Sequence, residues 1–181
     1  MIKEIELPQG IEAKFDNYEL SMKGPKGEIK KRLASKQISI IIEKDKIKAE
    51  SKTTNKKEKK ILHTFVAHIK NMIKGAEEGF VYKLKICSGH FPMNVTIKGD
   101  SFSVKNLFGE KIPRVVKIRD GSTVKVEGDI ITVESINKET AGQMAADIEQ
   151  LTRRTGFDRR IFQDGIYITE KAGKELKWKK N

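Results

Sequence analysis

The chain of 181 residues is 34% charged and 37% hydrophobic, a composition typical of a folded globular protein and not of a disordered one. Its net charge of +12 favours a polyanionic partner, and nucleic acid is the commonest of these. The longest apolar run, Ile40–Ile42, is too short to span a bilayer, and the first residues lack a signal-peptide core.

The positive charge is unevenly distributed. Residues 1–80 carry 18 basic and 12 acidic side chains, residues 81–152 carry 10 and 9, and residues 153–181 carry 9 and 4. The second half therefore holds nearly all of its excess in its last segment. The first half has a cluster of its own, Lys52–Lys60, with five lysines and one glutamate. An anionic membrane would attract the same charge, but no basic amphipathic helix with Trp or Phe on its other face is apparent.

The first half has the pattern of several strands followed by one helix. Strands are predicted at Ile11–Phe15, Tyr18–Met22, Ile38–Glu43 and Lys46–Ala49, with tight turns at Asp16-Asn17 and Lys44-Asp45 and a loop at residues 23–27. Apolar residues spaced three and four apart predict a helix over residues 57–74, with Gly75 as its stop. His63 and His68 are five apart on this helix, a spacing that disfavours a shared metal ion.

The second half repeats this order. Strands are predicted at Phe80–Cys87, Val95–Lys98, Phe102–Val104, Val115–Ile118, Val124–Glu127 and Ile130–Val133. A helix is predicted over residues 138–155, and a further strand lies beyond it in the Ile161–Ile168 alternation. Strands grouped before a single helix favour an α+β fold, in which each copy is a small antiparallel sheet packed against one helix.

Two pairs of matching segments indicate an internal duplication. Leu20–Glu28 matches Phe102–Glu110 at 4 of 9 positions, and Ile40–Ser51 matches Val124–Ser135 at 5 of 12. The two matches agree in order and are displaced along the chain by nearly the same amount. The chain is therefore predicted to hold two tandem domains, residues 1–79 and residues 80–181, of which the second carries a basic C-terminal RNA-binding extension.

This extension, Arg153–Lys174, holds four of the chain's seven arginines. The flat fork of an arginine matches phosphate oxygens and also stacks on bases, so the cluster favours contact with folded RNA. Phe157 and Tyr167 are candidates to stack on a base or sugar, and Gly165 allows close approach of a phosphate. The alternative is a solvated helix end followed by an ordinary hairpin.

No motif for catalysis, metal binding or a small-molecule substrate is apparent. The chain has no C-x-x-C or H-E-x-x-H, and its glycines lack the spacing of a phosphate-binding loop, so no cofactor or metal is predicted. Cys87 is the only cysteine, which excludes an intrachain disulfide and fits a reducing cytoplasm; its apolar surroundings predict a buried structural thiol. A hydrolase using His90 and Cys87 and a free-standing RNA-binding regulator remain as alternatives.

Several stretches resemble one family. K-G-P-K-G, N-M-I-K-G-A-E-E-G-F-V-Y-K-L, H-F-P-M-N-V, N-L-F-G-E-K and F-Q-D-G-I-Y-I-T-E-K resemble the universal large ribosomal subunit protein six family, called nine in eukaryotes. H-F-P-M-N-V and D-G-I-Y-I-T-E-K are similar to its archaeal and eukaryotic branch. At Asn106-Leu107-Phe108 the chain departs from the family, in which the aromatic residue more often precedes the leucine.

The resemblance implies a non-enzymatic constituent of the cytoplasmic ribosome with no cofactor. It implies that the protein binds 23S-type ribosomal RNA near the sarcin–ricin loop and the stalk base, beside neighbouring ribosomal proteins, and supports the region where translation factors dock. The matching candidate RNA contacts are Arg153, Arg154, Arg159, Arg160, Gln163, Asp164, Gly165, Tyr167, Lys171 and Lys174. A second candidate contact comprises Lys105, Asn106, Lys111 and Arg114.

Overall fold

The structure is a computed structural model that describes residues 1–43, 46–53, 55–158 and 160–176. The chain divides into two compact units, Met1–Gly79 (unit 1) and Phe80–Asn181 (unit 2). Each unit combines antiparallel strand pairs with one α-helix, so the predicted α+β class is confirmed. No helix within the described ranges is both long enough and apolar enough to cross a membrane.

Unit 1 contains six strands and one helix among its described residues. They are β1 (Ile2–Glu6), β2 (Glu12–Asp16), β3 (Glu19–Gly24), β4 (Gly27–Arg32), β5 (Ile38–Ile42), β6 (Lys46–Ser51) and α1 (Lys56–Glu77). The strands form two antiparallel sheets with the orders β1-β6-β5 and β2-β3-β4. Leu20 and Met22 of β3, Ile47 of β6, and Leu62 and Ile69 of α1 are fully buried, so the core lies between the helix and both sheets.

Unit 2 follows the same plan and adds strands after its helix. Its elements are β7 (Phe80–Cys87), β8 (Asn94–Lys98), β9 (Ser101–Lys105), β10 (Arg114–Lys117), β11 (Ser122–Glu127), β12 (Ile130–Ser135), α2 (Lys138–Leu151), β13 (Gly165–Lys171) and β14 (Lys174–Glu175). A 3-10 turn, Leu107–Gly109, lies between β9 and β10. The sheets have the orders β10-β9-β8 and β11-β12-β7-β13-β14, with every pair antiparallel.

The two units are built alike strand by strand. Strands β6 and β12 occupy the same place in the second pair of matching segments, and each pairs with the first strand of its own unit. Leu20 and Met22 are buried in β3, and their counterparts in the first pair, Phe102 and Val104, are buried in β9. The alignment of the two halves in sequence is therefore also an alignment in structure. Each unit holds two small sheets, where the strand pattern alone predicts one.

The end of α1 differs from the prediction. Gly75 does not stop the helix but lies buried within it, and α1 continues to Glu77. The last turn of α1 packs against the β3–β4 hairpin, where a Cβ built on Gly24 would lie 2.6 Å from the Ala76 carbonyl oxygen. The Lys26 backbone N–H donates a hydrogen bond to the same oxygen, at 3.1 Å. Gly24 is needed at this contact because any side chain there would collide with the end of the helix.

Three other local predictions need correction. The predicted loop at residues 23–27 is a tight hairpin, since Gly24 pairs with Gly27. The helix predicted over 138–155 ends at Leu151, and β1 and β4 are strands that the pattern does not indicate. The turn predicted at Lys44-Asp45 lies outside the described residues.

Candidate nucleic-acid interface

Asp164 fixes the end of the basic stretch 153–163 to the connection between β7 and β8. Its side chain is 1% exposed and accepts hydrogen bonds from the backbone N–H groups of Gly89 at 2.8 Å, His90 at 3.0 Å and Phe91 at 3.2 Å. The His90 ring Nδ1 also lies 3.2 Å from the carboxylate. Burial acts to raise the pKa of Asp164, but these donors outweigh it and hold the pKa below its ordinary value.

Strand β13 is held on both sides. One edge pairs with β7, and on the other edge the Ile166 N–H donates to Thr152 Oγ1 and the Ile168 N–H donates to Glu149 Oε1, both at 3.0 Å. The residues between Thr152 and Asp164 therefore leave α2 and return to the sheet at two fixed points. These residues, 153–163, make up the basic loop, which is anchored at both ends.

Three phenylalanines and a histidine pack together across this loop. The Phe108 and Phe157 rings stack with centroids 5.4 Å apart, and Phe162 meets Phe157 edge-on at 5.1 Å. Phe162 also contacts the His90 ring at 5.3 Å. This aromatic cluster joins the 3-10 turn and the β7–β8 connection to the basic loop, and at 37% exposure Phe157 retains an accessible surface.

Two arginines near the cluster are already engaged with protein groups. The Arg154 guanidinium lies over the Phe157 ring at 4.2 Å and 3.8 Å from Glu110. Arg114 grips Glu110 through two hydrogen bonds of 2.7 and 2.8 Å, which lower the pKa of Glu110. Arg114 Nη1 also donates to the carbonyl oxygens of Leu151 and Arg153, capping the end of α2. Arg114 thus has a structural role, and its RNA contact stays a prediction.

The remaining predicted arginines point outward or are not described. Arg153 is exposed, and Arg160 is 89% exposed on its side chain although it pairs with Asp158 at 2.8 Å. This hydrogen bond lowers the pKa of Asp158, but a pair so open to water contributes little to stability and can exchange for a phosphate. Arg159 lies outside the described residues.

The other predicted contacts fall into two groups. Lys105, Lys111, Gln163, Lys171 and Lys174 are exposed, whereas Asn106 is half-buried and donates to the Pro92 carbonyl oxygen at 3.1 Å. Gly165 is buried, and a Cβ built on it would lie 3.3 Å from the Tyr167 ring, so a side chain at this position would crowd that ring. Tyr167 itself is half-buried.

A cleft of about 680 Å³ runs beside the loop and β13. Its lining includes the cations Lys85, Arg153 and Arg154, the rings of Phe157 and Tyr167, and the amide of Gln163. Cationic, aromatic and amide side chains are the groups that recognise unpaired nucleotides, since they bind phosphate, stack on bases and meet base edges.

The arrangement predicted for a hydrolase is not observed. Cys87 is half-buried at the end of β7, so the prediction of a buried thiol is only partly correct. Within the described part of the chain no hydrogen bond joins Cys87 to His90, and the His90 Nδ1 lies instead 3.2 Å from Asp164.

Fold and site together define a class: a duplicated α+β protein whose second copy holds a basic, aromatic loop between its helix and an added strand. A sequence model of the family described as ribosomal protein L6 matches residues 7–79 and 91–165, one match for each unit. The chain belongs to this family, which is one of ribosomal structural proteins and not of enzymes. The double match also confirms the duplication.

The chain is 47% identical over 174 residues to the large ribosomal subunit protein uL6 of Methanococcus vannielii, covering 96% of each chain. This relative is archaeal, so the resemblance to the archaeal and eukaryotic branch is confirmed.

Sequence reasoning misses three functional side chains. Phe108 and Glu110 come close to the basic loop only through the fold, because the whole of β10 to α2 separates them from it in the chain. Asp164 is a candidate RNA contact through the family resemblance, and no local pattern distinguishes a buried acceptor from an exposed one.

Proposed function

We propose that this protein is a structural constituent of the large ribosomal subunit in the cytoplasm. Family membership and the name of the archaeal relative support this proposal. In it, unit 2 binds 23S-type ribosomal RNA near the sarcin–ricin loop and the base of the stalk, among neighbouring ribosomal proteins. The protein would thereby support the region where translation factors bind, without catalysing a reaction.

The observation that carries the RNA-binding part is the anchored basic loop. Arg153 and Arg160 are exposed on a loop whose ends are fixed at Thr152 and Asp164. Anchoring reduces the conformational entropy lost on binding, so charges on such a loop bind more tightly than charges on a mobile tail. Arg154 and Phe157 supply a stacked cation and ring beside them.

The roles of the predicted contacts differ within this proposal. Arg153, Arg159, Arg160, Lys171 and Lys174 bind phosphates, and Gln163 and Tyr167 meet the RNA from the cleft. Lys105 and Lys111 form a weaker second contact. Asp164, Gly165, Asn106 and Arg114 hold these groups in place.

Replacing Arg153, Arg159 and Arg160 together with alanine tests this assignment. The RNA probe is a fragment of 23S-type RNA that contains the sarcin–ricin loop and the stalk base, titrated with the full chain at several salt concentrations. Losing three phosphate contacts is expected to lower the salt slope of the binding constant by about 2 to 3. Arg154 is left intact because it packs on Phe157.

A matched control removes the same charge elsewhere in unit 2. Lys98, Lys117 and Lys125 are exposed on other strands, and their triple alanine variant should retain most of the affinity. Equal losses in both variants would mean that only net charge matters, which contradicts an interface at the loop. If the protein protects RNA positions away from the sarcin–ricin loop and the stalk base, the proposed location is wrong although RNA binding still holds. If the cellular protein sediments separately from large subunits, a free-standing regulator is favoured.

A further inference from the structure

Unit 1 has an open sheet edge at β1. The equivalent edge of unit 2, at β7, is covered by the added strand β13 of that same unit. Ile5 of β1 pairs with Ile47, and Leu84 of β7 pairs with Ile131, the counterpart of Ile47 in the matching segments. Strands β1 and β7 therefore occupy the same place in the two copies. Strand β13 pairs with the far edge of β7, whereas no strand within the described residues pairs with the far edge of β1.

The open edge presents backbone groups to a partner. Met1 N donates to the Ser51 carbonyl at 3.1 Å, and the Ser51 N–H donates to the Met1 carbonyl at 2.9 Å. Hydrogen-bonding direction alternates along an antiparallel strand, so the N–H and C=O groups of Ile2, Glu4 and Glu6 point away from β6. Such a row is a template for an added strand.

A groove accompanies this edge, with a volume of about 620 Å³ between β1 and the last turns of α1. The buried side chains of Ile5 and Ile73 lie along it. In unit 2 the corresponding place holds β13, whose Ile166 and Ile168 are 1% and 4% exposed, and Ile168 pairs with Leu84, the counterpart of Ile5. The groove is thus where apolar side chains of an added strand would lie.

The charge of the edge is reversed between the copies. By the same register, Glu4 and Glu6 of β1 correspond to Lys83 and Lys85 of β7. In unit 2, Glu170 of β13 pairs with Lys83 at 2.8 Å. A strand that complements β1 must therefore carry cations where β13 carries its glutamate.

The groove as a whole is slightly acidic, although Lys46 Nζ already lies 3.8 Å from Glu4 Oε2. Four glutamates and three lysines line it, a net charge of −1 on a protein whose total is +12. The β1 strand of a second copy does not fit this edge. When two β1 strands pair antiparallel with their apolar faces on the same side, each possible register places like charges opposite each other: Glu4 on Glu4, Lys3 on Lys3, or Glu4 on Glu6. Strand β13 of a second copy would bring Glu170 towards Glu4.

We propose that the open edge of β1 is a docking site for an extended, lysine- or arginine-bearing segment of another protein. The segment adds antiparallel to β1, with apolar side chains towards Ile5 and Ile73 and cationic side chains opposite Glu4 and Glu6. This proposal does not depend on RNA binding by unit 2.

A pair of peptides tests the proposal on the full chain. The first has the sequence of residues 165–174 with Tyr167→Lys and Glu170→Lys, which places lysines opposite Glu6 and Glu4 in the β13 register. The second has the unaltered sequence. The basic peptide is expected to bind at least about tenfold more tightly by calorimetry, and to slow hydrogen exchange at the Glu4 and Glu6 amides, which strand addition would use.

Variants of the full chain separate strand addition from general attraction. Glu4→Lys with Glu6→Lys recreates the charge of β7 and should reverse the preference between the two peptides. Glu12→Lys with Glu19→Lys changes the net charge equally on exposed positions of the other sheet and should leave it unchanged. If neither peptide binds, the β1 charges only protect the edge from aggregation and the proposal fails. It fails equally if the two double variants show the same preference between the peptides, or if hydrogen exchange at the Glu4 and Glu6 amides is not slowed.

Discussion

Replacing Asp164 with asparagine removes a charge without changing the shape of the side chain, and is expected to destabilise unit 2. Oδ1 accepts from Gly89 at 2.8 Å, while Oδ2 accepts from His90 at 3.0 Å and Phe91 at 3.2 Å. Whichever oxygen becomes an amide nitrogen, at least one of these part-buried N–H groups faces another donor. Hydrogen bonds to a charged group contribute about 1.5–3 kcal/mol each, so a loss of about 3 kcal/mol is expected.

Thermal unfolding followed by circular dichroism measures this loss. For a unit of roughly 100 residues, each kcal/mol lowers Tm by about 4–8 °C, so the transition of unit 2 should fall by about 12–24 °C. Asp120→Asn, at an exposed position in the same unit, is the matched control and should change stability by about 0.5 kcal/mol at most.

The effect of Asp164→Asn on the free energy of unfolding is expected to depend on pH. The pKa of Asp164 is lowered in the folded state, so its stabilisation is present above the unfolded pKa of about 3.9 and is lost as the pH falls through the lower folded value. The stability difference between the original chain and Asp164→Asn should therefore shrink in acid. A variant that melts like the original chain but binds RNA poorly would refute the anchoring role and make Asp164 a direct RNA contact.

Two further substitutions test the supports of the fold. Arg114→Lys keeps the charge, but a lysine cannot bond Glu110 and the Leu151 carbonyl oxygen at the same time. Urea unfolding should therefore show that unit 2 loses about 2 kcal/mol of stability. No measurable loss would mean that these Arg114 hydrogen bonds are dispensable. Gly24→Ala places a Cβ 2.6 Å from the Ala76 carbonyl oxygen and should destabilise unit 1 by about 1–3 kcal/mol; an unchanged urea midpoint would mean that the hairpin can move away from the helix without cost.

Strands with clear alternation can be predicted from the sequence. Strand β7 has the predicted bounds, Phe80–Cys87, because buried Phe80, Tyr82, Leu84 and Ile86 alternate with more exposed residues. Strand β1 cannot be found in this way, since Ile5 is the only buried residue in it and its charged neighbours give no apolar face. Its strand state depends on pairing with β6, from which four other strands separate it in the chain.

The candidate site is predictable in its location and not in its internal roles. The clustering of Arg153, Arg154 and Arg160 is visible in the sequence, whereas the stacking of Phe108 on Phe157 requires the folded sheet. The departure at Asn106-Leu107-Phe108 has a structural counterpart: Leu107 is 1% exposed in the core, while Phe108, at φ 50°, faces the aromatic cluster. In the sequence, Asp164 and Gly165 are equally consistent with tight packing and with ligand contact, so their roles cannot be assigned without the structure.

The position of β13 has a consequence for how the chain matures during synthesis. The strand pairings of unit 1 all lie within Met1–Gly79, so a nascent chain can complete them early. A nascent chain that has reached Leu151 has made β7 and α2 but still lacks the strand that covers Leu84 and Ile86. The basic loop is translated between α2 and that strand, so its Asp164 anchor can form only after the rest of the unit has been made.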